Sequence, residues 1–166
     1  MSGIKDAIKV ILAVLGLVSA YPDVEWDNLL FRLDFNKDFV YAQFKASNLI
    51  NPAIQDVINS GIEVNLVYQI RTSAKNKLVY DGTSIRRIAF TGKGYSVNGR
   101  GSYSFDLLTN IISVNEMVIL TNASQYTNHI DLKTQIELLI SCDSTPEIMK
   151  LWGKHPKISI PFNIGE

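Results

Sequence analysis

Residues 51–72 read Asn-Pro-Ala-Ile-Gln-Asp-Val-Ile-Asn-Ser-Gly-Ile-Glu-Val-Asn-Leu-Val-Tyr-Gln-Ile-Arg-Thr, and the reading of this stretch decides the fold. Asn51 can accept a hydrogen bond from the free N–H groups of a first helical turn. Pro52 follows at the first helical position, where its missing donor costs nothing and its fixed φ suits a helix. Ile54, Val57 and Ile58 fall on one helical face, and Gly61 stands where a left-handed closing residue is expected. From Ile62 the period switches to two. Ile62, Val64, Leu66, Tyr68 and Ile70 point one way; Glu63, Asn65, Gln69 and Arg71 point the other, with Val67 the apolar exception. That is a strand with one face on a core and one in water. A helix this short is marginal alone, so it is predicted to dock on the sheet through its Ile/Val stripe.

Outward from this unit the chain reads as strands and turns. Upstream, Leu29, Phe31, Leu33 and Phe35 alternate with polar or outward residues, Asn36-Lys37-Asp38 is a turn cluster, and Val40, Ala42, Phe44 and Ala46 alternate again. The two runs predict a hairpin. Downstream, residues 73–77 form a polar turn, residues 78–80 begin a strand, Asp81-Gly82 is a turn signal, and residues 85–91 form a further strand. The glycine-rich segment 92–101 lacks the Lys-Ser/Thr pair of a phosphate loop. Asn98-Gly99 between Tyr95-Ser96-Val97 and Arg100-Gly101-Ser102-Tyr103 predicts a tight two-residue hairpin instead.

Ser104 caps a second short helix over residues 105–112, with Leu108, Ile111 and Ile112 as its apolar stripe. A strand over 116–120 and a polar loop over 121–128 follow. Ile130, Leu132, Thr134, Ile136 and Leu138 then alternate with His129, Asp131, Lys133, Gln135 and Glu137. This second long one-sided strand is read as the layer facing residues 62–70. Thr145-Pro146-Glu147 opens a helix through Trp152, closed by Gly153. Residues 157–162 form a last strand, in which Pro161 suits a sheet edge. The fold class predicted is mainly β: an antiparallel β-sandwich of about seven or eight strands with two or three short helices.

At 166 residues and 46% hydrophobic, the chain can bury one core of ordinary size. Its formal net charge of zero argues against a nucleic-acid surface, and Arg86-Arg87 reads as a solvated strand edge. Two lysines precede the apolar run 10–18, Val18-Ser19-Ala20 supplies small residues for cleavage, and Pro22 follows. Residues 1–20 therefore read as a secretory signal peptide, or as an N-terminal membrane anchor if uncleaved, with residues 21–166 as a single β-sandwich domain. An ordinary amphipathic or buried helix is the competing reading, as is an uncleaved anchor extended through Ile4. The expected location is periplasmic or otherwise secreted, with residues 4–20 holding an uncleaved chain to the inner membrane.

Histidine and cysteine numbers limit the chemistry. Cys142 is the only cysteine, so neither an intramolecular disulfide nor a paired-cysteine metal site can form, and it reads as a buried thiol. His129 and His155 have no spaced partner for a metal site or a triad. The carboxylates Asp23, Glu25, Asp34, Asp38, Asp131 and Glu137 are scattered, and solvated surface acids are the default for such residues. No catalytic, cofactor-binding or metal-ligating residue is nominated, and no cofactor is expected.

The run Asn-Ser-Gly-Ile-Glu-Val-Asn-Leu-Val-Tyr-Gln-Ile at 59–70, followed by Tyr95-Ser96-Val97, the 104–112 helix and the 129–139 strand, resembles the exported bacterial domain-of-unknown-function family 4390. The resemblance would cover about residues 26–160. It lacks the tryptophan- and arginine-rich loops that many members carry after the central strand. It implies a periplasmic all-β domain and brings no catalytic residue.

The function expected is therefore a non-enzymatic exported domain that mediates protein interaction in the cell envelope, for which the edge at 157–162 offers strand pairing. The alternative is a periplasmic carrier or binder of a lipid or other apolar ligand held between the two long strands, motivated by the outliers Val67 and Leu139. A hydrolase with spatially assembled acids is a third reading. The partner expected is another cell-envelope protein or an apolar ligand, with no nucleic acid, and membrane contact is expected only through the N-terminal segment.

Overall fold

The computed structural model describes residues 22–34, 39–74, 76–119, 131–142 and 157–163. Several expectations lie outside them: the leader at 1–20, the turn at 36–38, the loop at 121–128, His129, the helix at 145–153 and His155. Within them the protein is mainly β, with nine strands in two antiparallel sheets and two helices.

The strands are β1 (Glu25–Asp34), β2 (Phe39–Ser47), β3 (Val64–Ala74), β4 (Lys77–Phe90), β5 (Tyr95–Val97), β6 (Arg100–Tyr103), β7 (Val114–Ile119), β8 (Asp131–Cys142) and β9 (Lys157–Asn163). The helices are α1 (Pro52–Asn59) and α2 (Phe105–Ser113). A three-stranded sheet runs β1-β2-β7, and a six-stranded sheet runs β6-β5-β4-β3-β8-β9. The predicted hairpins β1–β2 and β5–β6 are both present. So is the edge position of β9.

Both ends of α1 form as the sequence specifies. Asn51 Oδ1 accepts from the Ile54 N–H at 2.9 Å. At the other end the Gly61 N–H donates to Ile58 O and the Ile62 N–H to Val57 O, with Gly61 at φ 88°. This 6→1 and 5→2 pair of bonds closes the helix. Ile62 spends its N–H on that stop, so the strand starts two residues later than the periodicity alone suggests, at Val64.

β3 is the spine. Val64, Leu66, Tyr68 and Ile70 are fully buried on its inner face, as are Leu138 and Ile140 on β8. The rings of Trp26 and Phe44 lie 6.0 Å apart, and Phe44 meets Tyr68 edge-on at 5.4 Å, so the small sheet packs across the large one. Tyr95 on β5 joins the two helices: its ring lies 5.7 Å from Phe105 of α2, and its hydroxyl donates to Asn59 Oδ1 of α1 at 2.7 Å.

Three expectations are corrected. Strand β8 is no facing layer; it is the hydrogen-bonded neighbour of β3 in the same sheet, in register from Val64↔Cys142 to Ala74↔Leu132. Its alternating face is one-sided because it extends the same inner surface. Asp81-Gly82 does not turn, and β4 runs through it. Asp81 lies opposite Arg71 and accepts from its Nε at 3.3 Å, while a Cβ at Gly82 would overlap the phenol oxygen of Tyr80. Glycine serves there to admit a ring, not to reverse the chain. Arg86-Arg87 is a solvated edge only in part: β5 pairs with Ile88–Phe90 beyond it and Arg87 is exposed, but Arg86 turns inward and donates to Asn115 Oδ1 and Val114 O.

Candidate interaction face

The face of the six-stranded sheet turned away from the core is built by pleat alternation on β3, β4 and β8. Register sets its rows. Val67 lies opposite Ile85 on one side and Leu139 on the other, so three apolar residues form a continuous row across adjacent strands. Ile85 is 46% exposed, and Val67 and Leu139 are half-buried. Polar rows bracket it: Arg87, Asn65 and Ser141 on one side, Thr83, Gln69 and Glu137 on the other. Beyond these lies the row Asp81, Arg71 and Gln135. Gln69, Arg71, Gln135, Ile136 and Glu137 enclose a shallow depression of about 80 Å³, too small for most ligands.

The opposite face carries a polar cluster around Arg86. Arg86 points inward, directly opposite Leu66, and reaches the end of α2. Its Nε donates to Asn115 Oδ1 at 2.9 Å, Nη2 to Val114 O at 2.9 Å and Nη1 to Ile111 O at 3.4 Å. Helix α2 has no basic residue in its last turn, so β4 supplies the cation that its C-terminal carbonyls favour. Beside this cluster the Tyr68 hydroxyl is buried and has no hydrogen-bond partner among the described residues. Burial pushes its phenol up to about 12, an effect that the nearby Asn115 amide and the Arg86 charge only partly offset. The hydroxyl is neutral at physiological pH and is shut off from solvent.

A second cleft of about 280 Å³ lies where β2 outruns β7, walled by the last turn of α2 and lined by Lys45, Ser47, Asn48, Leu49, Thr109 and Asn110. Its Thr109 hydroxyl is already engaged, donating to Asp106 O.

The scattered carboxylates divide between the sheets. Glu25 and Asp34 lie on β1 and Asp131 and Glu137 on β8, with Asp23 just before β1; Asp38 lies outside the described residues. Cys142 ends β8. Among the described residues, no three His, Cys, Asp or Glu side chains cluster as metal ligands. Val67 and Leu139 stand out in the sequence as apolar outliers; register shows that they share one row. Ile85, the third member, is masked in the sequence because β4 places Gly82, Ser84 and Arg86 on its inner face and loses the usual alternation. No family model, no curated protein and no solved structure matches this chain.

Proposed function

We propose that this chain is a non-enzymatic exported domain that mediates protein interaction in the cell envelope, docking through the outer face of its large sheet. The observation that carries the reading is the row Ile85–Val67–Leu139, an apolar strip on the outer face, exposed at Ile85 and half-buried at Val67 and Leu139, bracketed by polar and charged rows. An apolar centre with a polar rim is the composition of a protein-binding patch. The face is favoured over the edge strand β9, because Lys157 and Pro161 are residue types that discourage strand addition. Export to the periplasm rests on the leader expected at residues 1–20 and on the resemblance to family 4390.

Carriage of an apolar ligand needs space between the layers. The inner side chains of β3 and β8 fill that space with the core, which favours interaction over carriage. The test is capture from envelope extracts by the full chain and by its Val67→Arg variant. A partner held by the parent and lost by the variant, with both folded, supports the reading. Capture indifferent to Val67→Arg, or recovery of the chain alone, would sink it.

A further inference from the structure

The hairpin joining β3 and β4 carries a feature that the interaction row does not use. At its end the register moves from Thr72↔Tyr80 to Ser73↔Leu78, so β4 contains one extra residue, Val79. Pleat alternation from Tyr80 would otherwise send Leu78 to the core side. The bulge instead turns Leu78 onto the outer face, opposite Ser73, where it is 54% exposed. It is the most exposed large apolar side chain among the described residues.

Leu78 is surrounded by donors. With Arg71, Ser73, Lys133 and Gln135 it lines a cleft of about 300 Å³. Arg71 and Lys133 are diagonal neighbours on adjacent strands, since Arg71 pairs with Gln135 and Ser73 with Lys133. Like charges so placed repel unless an anion sits between them. Asp81 answers Arg71, and no carboxylate lines the cleft among the residues whose side chains are described. Lys77, exposed at the hairpin end, pairs with Ala74 and so lies on the other side of the pleat from Leu78. Arg71 and Lys133 against the single carboxylate of Asp81 leave a local cationic excess beside an exposed leucine, in a chain whose formal net charge is zero.

We propose that the β3–β4 hairpin end is a contact site for an anionic phospholipid surface, with Leu78 entering the headgroup layer and Arg71 and Lys133 meeting lipid phosphates. Donor-only cations match phosphate oxygens, and an exposed apolar side chain gains from a soft layer that it can enter. An acidic protein surface would answer the cations but would leave Leu78 without a pocket. The site lies about 20 Å along β3 from Val67, six residues at strand rise, so it can be tested apart from the protein-docking row.

The experiment is flotation of the full chain with phosphatidylcholine vesicles and with vesicles that also contain phosphatidylglycerol. Variants are Leu78→Ser, Lys133→Gln and Lys133→Arg, with Lys93→Gln at the other end of β4 as the control. Circular dichroism checks that each is folded. The expected result is a preference for phosphatidylglycerol that weakens with salt. Affinity falls about fivefold in Lys133→Gln and about tenfold in Leu78→Ser, is retained in Lys133→Arg and is unchanged in Lys93→Gln. Equal binding by all variants would assign membrane contact to another part of the chain and overturn the proposal, as would no binding at all. Displacement by inorganic phosphate at constant ionic strength would mean a free-anion site, and binding to immobilised polyglutamate but not to vesicles would mean an acidic partner; either overturns it.

Discussion

Arg86 of β4 donates to Asn115 Oδ1 at 2.9 Å, joining the large sheet to the start of β7 in the small one. Asn115, itself only 3% exposed, donates in turn towards Ile112 O and Ser113 O, both at 3.4 Å. Helix α2 ends at Ser113 and β7 begins at Val114 with no linker between them. The carbonyls freed at that junction are met by a side chain from the opposing layer.

Replacing Arg86 by alanine leaves the Oδ1 of buried Asn115 without its donor, while Val114 O, in an exposed bond, is left to water. We expect a loss of about 2–3 kcal/mol, read from the urea midpoint at unchanged slope. Arg86→Lys should retain only part of that stability, because an ammonium cannot reach three acceptors as a planar guanidinium does.

Tyr68 gives a pH signature. Its phenol sits near 10 when unfolded and about 12 when folded. Between those values the unfolded chain gives up its proton while the folded chain keeps it, so stability contributed below pH 10 is lost progressively as pH rises to 12. The loss is of order 2–3 kcal/mol at most. Tyr68→Phe should abolish this slope in alkaline urea titrations. It should cost little at neutral pH, since the hydroxyl it removes has no partner among the described residues. A variant that is strongly destabilised at pH 7 would show that the hydroxyl is satisfied after all.

Thr72 and Thr134 face each other across β3 and β8, both buried, with their hydroxyl oxygens 3.0 Å apart. Thr72→Val alone leaves its partner buried and unpaired, for an expected cost of about 1–3 kcal/mol. The double Thr→Val variant should cost less than the sum of the singles. A double-mutant cycle with no coupling would contradict the bond.

Adjacent residues of β3 should behave oppositely. Leu66→Ala empties a fully buried position and should cost about 2–5 kcal/mol in thermal or urea unfolding. Val67→Arg, one residue on, faces outward and should change stability by less than about 1 kcal/mol. Any effect it has should fall on partner capture.

Much of the local structure is legible in the sequence. Asn51, Pro52 and Gly61 mark α1 at both ends, Ser104 caps α2 through the Leu107 N–H, and Asn98-Gly99 makes the β5–β6 turn, because caps and tight turns depend on a few neighbouring residues. Asp81-Gly82 misleads because the same dipeptide serves a turn or a strand, and here the ring of Tyr80 decides. The interaction row is half legible: Val67 and Leu139 break their patterns, but nothing local says that they are neighbours.

The sequence by itself determined where most of the described strands lie, where α1 and α2 start and stop, and that β3 has one wet and one dry face. These follow from φ preferences, capping chemistry and a period of two, all written within a few residues. Only the tertiary structure decided that β8 lies beside β3 rather than across from it, that Arg86 turns inward to hold α2, and that a bulge turns Leu78 outward. Strand order and register are set by contacts between residues far apart in the chain, where the energy of burial is shared and no single position carries the signal.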